Sequence, residues 1–183
     1  MLVKPTLLLL AVSTALGFVL PADLADGVYS VEYDAATGEA LSAPSLVGAL
    51  EARTPVRAPP PSRIVAARAP PPLESPRTLC SATGNLRSRP DFDTVKAQFN
   101  GICEKDTMYP KNVAMVVSYG SALAYMCNFD KSTNRCWREE YEEASTLMDR
   151  TCGTAVAARV YIARWDKTYG RDNQGANICA TVP

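Results

Sequence analysis

From Leu79 to Pro183 the apolar positions repeat in two periods. Phe92, Val95, Phe99 and Ile102 recur at steps of three and four after Pro90-Asp91, with Cys103 beside them. That spacing gathers side chains on one face of a helix, and Asp91 or Asp93 is available as its cap. The run Asn112-Val113-Ala114-Met115-Val116-Val117-Ser118 is rich in β-formers, and Tyr119-Gly120-Ser121 is turn-capable. Ala122-Leu123-Ala124-Tyr125-Met126-Cys127 follows, so the pair predicts a hairpin of buried strands. Beyond a polar loop from Asn128 to Arg135, Trp137, Tyr141, Ala144 and Met148 mark a second helix face. Glu139, Glu140, Glu142 and Glu143 are expected to turn mostly to water, and Cys152-Gly153 supplies a stop. Ala158, Val160 and Ile162 alternate with Arg159, Tyr161 and Ala163 as a half-exposed strand. Asp166 to Gly175 reads as a polar loop, and Ala176-Asn177-Ile178-Cys179-Ala180 as a closing strand.

The predicted order is α-β-β-α-β-β. Each amphipathic helix needs an apolar partner, which predicts an α+β two-layer sandwich of two helices on a four-stranded, largely antiparallel sheet. Six cysteines (Cys80, Cys103, Cys127, Cys136, Cys152, Cys179) all fall in this part of the chain. An even, clustered count predicts three disulfides. A zinc site would want closely spaced cysteine pairs or histidines, and the chain has no histidine. The sequence does not select the pairing, although Cys127 and Cys136 could close the loop before the second helix.

The first part of the chain has a different character. Residues 1–17 have the layout of a signal peptide: Lys4, an apolar run around Leu7-Leu8-Leu9-Leu10, and small residues at Ala15 and Gly17. The run is short for a bilayer span, so stable membrane insertion is not expected. Residues 18–78 read as an acidic, then proline- and arginine-rich, disordered pro-segment or linker. Within it Gly27 to Tyr33 alternates in strand style before Ala36-Thr37-Gly38, enough for one marginal hairpin. Arg57-Ala58-Pro59-Pro60-Pro61 recurs as Arg68-Ala69-Pro70-Pro71-Pro72, and such triplets favour extended polyproline II. Residues 79–183 are then the disulfide-stapled globular domain.

Charge and chemistry narrow the functions. From Cys80 onward there are thirteen bases against twelve acids, so nothing favours nucleic acid, whose binding needs clustered positive charge. Without histidine the commonest general base is missing, and with every cysteine bridged no thiol nucleophile is left. No phosphate-cradling glycine loop, nucleophile elbow or glycosylation sequon occurs. No catalytic residue, metal or cofactor is expected. The most distinctive segment is Arg164-Trp165-Asp166-Lys167-Thr168-Tyr169-Gly170-Arg171. Read as a loop, it offers Arg164, Trp165, Lys167, Tyr169 and Arg171 as candidate partner-binding residues, because such side chains are the usual anchors.

Four features resemble the small cysteine-rich proteins secreted by filamentous fungi. They are Asp91-Phe92-Asp93, Ala124-Tyr125-Met126-Cys127-Asn128, Cys152-Gly153, and the segment from Trp165 to Arg171. The element order is similar to the α/β sandwich of fungal killer toxins and related plant-pathogen effectors. The resemblance implies an effector- or toxin-like protein and carries over no functional residue. The expectation is a secreted, non-enzymatic binding protein acting on an extracellular or host protein. A killer-toxin-like antimicrobial protein and an extracellular protease inhibitor are the alternatives.

Overall fold

The computed structural model describes residues 17–50, 72–104 and 107–180. The predicted signal sequence, except its last residue, and the proline triplets, except Pro72, lie outside the described residues. In chain order the elements are β1 (Phe18–Val19), β2 (Gly27–Glu32), β3 (Ser45–Gly48), β4 (Pro76–Asn85), α1 (Arg89–Cys103) and β5 (Met108–Tyr109). They continue with β6 (Val113–Tyr119), β7 (Ala122–Asn128), β8 (Asn134–Arg135), α2 (Arg138–Cys152), β9 (Val156–Ile162), β10 (Lys167–Asn173) and β11 (Asn177–Ile178).

The class is α+β, with two long helices on a large antiparallel sheet. The sheet has seven strands rather than four, in the order β3-β2-β6-β7-β10-β9-β4. Of the predicted strands, β6, β7 and β9 are in this sheet, while the predicted closing strand is β11 of a separate ribbon with β1. The four added strands are β2 and β3 from the acidic stretch, β4, and β10 from the segment read as a polar loop. Residues 27–32 and 45–48 are therefore ordered strands and not spacer. The marginal hairpin is stable because it is not isolated. β2 pairs along its whole length with β6, from Gly27 opposite Ser118 to Glu32 opposite Val113. Its turn is closed by Asp34, whose Oδ1 accepts the amides of Ala36 and Thr37.

Alternation then sorts the side chains into two layers. On one face Met115, Met126, Tyr169 and Val160 stand opposite one another on successive strands and pack under both helices. The helices contribute Phe92, Val95 and Phe99 from α1, and Tyr141, Ala144 and Met148 from α2. These were the predicted stripes, with Ile102 only partly buried and Trp137 a half-exposed N-cap. The cap of α1 is Ser88, whose hydroxyl accepts the Asp91 amide, and not Asp91 or Asp93. On the other face Val31, Ala114, Val116, Leu123 and Tyr125 form a second core under the short ribbon of β1 with β11.

Three disulfides tie the elements together. Cys80–Cys152 ties the edge strand β4 to the end of α2, and Cys103–Cys136 joins the end of α1 to the start of α2. Cys127–Cys179 fastens the β1–β11 ribbon to β7. The suggested pairing of Cys127 with Cys136 is thus corrected. Cys127 points to the helix-free face and Cys136 packs among the helices, so the sheet lies between them.

Candidate functional site

From Lys167 onward the segment read as a partner-binding loop is strand β10, inside the sheet, while Arg164 and Trp165 sit in the short 3-10 turn before it. Lys167, Tyr169 and Arg171 are at most 1% exposed. They alternate onto the helix face, where α2 supplies their partners. Lys167 is ion-paired with Glu140 and donates to the Arg135 carbonyl at 3.0 Å. The Tyr169 hydroxyl donates to Glu140 at 2.8 Å and accepts the Trp137 amide at 3.2 Å. Burial pushes the Glu140 carboxyl up, opposed chiefly by the Lys167 charge. Arg171 is ion-paired with Asp149 and donates to the carbonyls of Val156 and Gly153. Glu140 is accordingly buried rather than turned to water. Only Arg164, paired with Glu74, and the partly exposed Trp165 lie near the surface. These side chains staple α2 to the sheet, and the polar character of the segment is internal.

On the opposite face the Tyr33 hydroxyl, the Arg159 Nε and the Thr168 hydroxyl are buried without hydrogen-bond partners among the described residues. Tyr29, Val116, Tyr125, Gly170, Arg159 and Leu79 form one row of facing residues across six strands. The β1–β11 ribbon covers the first half of that row. The second half is open as a cleft of about 270 Å³, lined by Ser81, Thr83, Tyr125, Arg159, Asp172 and Asn177 among others. Gly170 makes it possible. A methyl group there would overlap the Tyr125 ring, so only glycine lets that ring lie across β10 and reach the cleft.

The charges in the cleft are incompletely used. The Nε of Arg159 is buried without a hydrogen-bond partner. No carboxylate among the described residues pairs with its guanidinium. Asp172 is 2% exposed, and its Oδ1 accepts the Thr83 hydroxyl at 2.7 Å and the Asn173 amide at 2.8 Å. Burial, then the nearby Asp172 charge, pushes the Tyr125 hydroxyl well above its ordinary value, so it stays protonated and able to donate. The cleft therefore offers a cation, a carboxylate and hydroxyls to a small polar ligand. No group of three or more metal-ligating side chains occurs among the described residues.

Sequence periodicity did not bring these residues together. Arg159 was legible as an exposed alternate of its strand, but Ser81, Thr83 and Asp172 meet it only through the pairing of β4, β9 and β10. No protein-family model matches this sequence, and no curated protein or solved structure is found to be similar to it. Three disulfides are typical of extracellular proteins, and no helix among the described residues is long and apolar enough to cross a membrane.

Proposed function

We propose that this is an exported, non-enzymatic binding protein of the effector-like kind, acting outside the cell that makes it, with the helix-free cleft as its recognition site. The observation that carries the reading is the cleft's unpaired guanidinium beside a buried carboxylate on a covalently cross-linked sheet. A buried polar atom left without a hydrogen bond is costly, and a ligand that supplies a partner for the Arg159 Nε recovers that cost on binding. A rigid frame loses little freedom when it binds, which favours affinity. The cleft holds one carboxylate, Asp172, and carboxylate-based hydrolysis needs two.

The test uses oxidised protein recovered from culture medium, fluorescently labelled and applied to intact plant, fungal and bacterial cells. Ser81→Trp places a bulky ring at the cleft without touching the buried staples. Saturable capture of the native protein by one cell type, lost in Ser81→Trp at unchanged thermal stability, is the expected result. Equal capture of both proteins, capture by none of the cells, or accumulation inside the producing cell with free thiols overturns the reading.

A further inference from the structure

Resting on the cleft as a recognition site, we infer that its ligand is a small zwitterion of the α-amino-acid type, the carboxylate facing Arg159 and the ammonium facing Asp172.

The first argument is charge. Arg159 and Asp172 occupy diagonal positions on adjacent strands of one face, since Arg159 stands opposite Gly170 and Asp172 lies two residues further along β10. Such neighbours are close enough for long side chains to meet, yet the two form no ion pair. Each of the other buried charges of β10, Lys167 and Arg171, has its carboxylate. Asp172 satisfies Oδ1 with neutral donors, and no donor among the described residues reaches its Oδ2. A simple carboxylate ligand would match Arg159 and leave that oxygen facing a second negative charge. A neutral polyol would leave the guanidinium unpaired. A molecule with both charges one carbon apart satisfies both groups at once.

The second argument is size and polarity. The cleft, at about 270 Å³, lies below the range of roughly 300–1,000 Å³ that holds drug-sized molecules. The Tyr125 hydroxyl has no hydrogen-bond partner among the described residues, and it lines the same cavity as Ser81 and Thr83. A protonated phenol can add a donor to the carboxylate already held by the guanidinium, and charge-assisted contacts of this kind are the strong ones.

The experiment is calorimetric titration of the full oxidised protein with each common α-amino acid in turn at neutral pH and low salt. The N-acetyl and amide derivatives of the best binder, each lacking one charge, follow. At least one amino acid is expected to bind saturably, with both derivatives weaker by about 10- to 100-fold, the loss of one charged hydrogen-bonded contact. Arg159→Gln and Asp172→Asn, which keep side-chain shape, should each give a similar loss at unchanged circular dichroism. Failure of every amino acid to bind, or derivatives that bind as well as the parent, overturns the inference. The derivatives are tested on the native protein, so their result holds even where a variant does not fold. Should no amino acid bind while Ser81→Trp still abolishes cell capture, the ligand class falls and the binding role survives. Binding of an amino acid without cell capture is the reverse case.

Discussion

The two sides of β10 differ only in which partners their charges find. Lys167 has Glu140, Arg171 has Asp149, and Asp172 has a hydroxyl and an amide. Removing one member of a buried pair leaves the other charged in a poor solvent, which costs about 3–5 kcal/mol. Lys167→Met is therefore expected to lower the urea unfolding free energy at pH 7 by about that amount. The loss should shrink in acid, where Glu140, whose carboxyl burial already raises, takes a proton. Gly170→Ala acts on the other side: the Tyr125 ring must move, and overpacking of this kind costs about 1–3 kcal/mol. A lower thermal midpoint, with loss of whatever the cleft binds, is the expected outcome. Asp91 gives the pH dependence a definite sign. Its carboxylate accepts the backbone amide and the hydroxyl of Ser121 at 2.8 and 3.0 Å, and the backbone bond foremost holds it below the usual carboxylate value. The folded state then binds fewer protons than the unfolded one. This contribution is present above about pH 4, the unfolded value, and disappears as pH falls through the lowered folded value. Asp91→Asn should flatten the acid limb of a stability-against-pH curve while lowering its neutral plateau. These residues were the least legible in the sequence, because a polar residue's partner is a tertiary fact. Lys167, Tyr169 and Arg171 carry the composition of a binding loop, and nothing local distinguishes an anchor for another molecule from an anchor for α2.

Both helices and the β6–β7 hairpin are legible, because each carries a continuous apolar run or a stripe long enough to set its own period. Their phases also hold: Phe92, Val95, Phe99, Tyr141, Ala144 and Met148 are all buried. β10 was missed for a physical reason. A central strand covered on both sides normally reads as an apolar run, and this one replaces apolar contacts with ion pairs and a glycine. β4 was missed because it is an edge strand with mostly exposed side chains and a register shift between Cys80 and Asn85, which erases the alternation. The disulfide Cys80–Cys152 compensates for that weakness. It closes a separation of 72 residues and holds β4 against α2 where few apolar contacts do. Bridges over loops of that length are worth about 2–5 kcal/mol. Replacing Cys80 and Cys152 together by alanine should lower the denaturant midpoint accordingly. Hydrogen exchange should show the amides of β4 opening first, and because β4 supplies Ser81 and Thr83, the cleft should lose its ligand before the sheet unfolds.

At the scale of the whole molecule, the covalent links and the sheet divide the chain differently. Every disulfide lies between Cys80 and Cys179, which favours a unit that begins at residue 79. The sheet begins earlier. Without residues 17–50 the six-residue ladder on β6 is unpaired, and Val113 to Ser118, all buried, would present an apolar edge to water. The second core would also lose Phe18, Leu20, Tyr29, Val31 and Tyr33, each no more than 6% exposed. Burial of one large apolar side chain is worth about 1.5–3 kcal/mol, so the loss of five is as large as the roughly 2–4 kcal/mol that each of three bridges supplies by restricting the unfolded chain. A piece comprising residues 79–183 is therefore expected to form its disulfides poorly and to aggregate through the bare β6 edge. If it instead gives a cooperative unfolding transition and a monomeric profile on size exclusion, β2 is an accessory strand. A subtler version keeps every residue and cuts the backbone between Leu50 and Leu73. The cut protein should remain one particle at high concentration, because the first piece is held by the β2–β6 ladder, the β1–β11 ribbon and the second core. It should separate in mild denaturant, because no disulfide reaches the first piece. Dilution should then release residues 17–50 and uncover β6, with a midpoint that depends on protein concentration, as the uncut chain's does not.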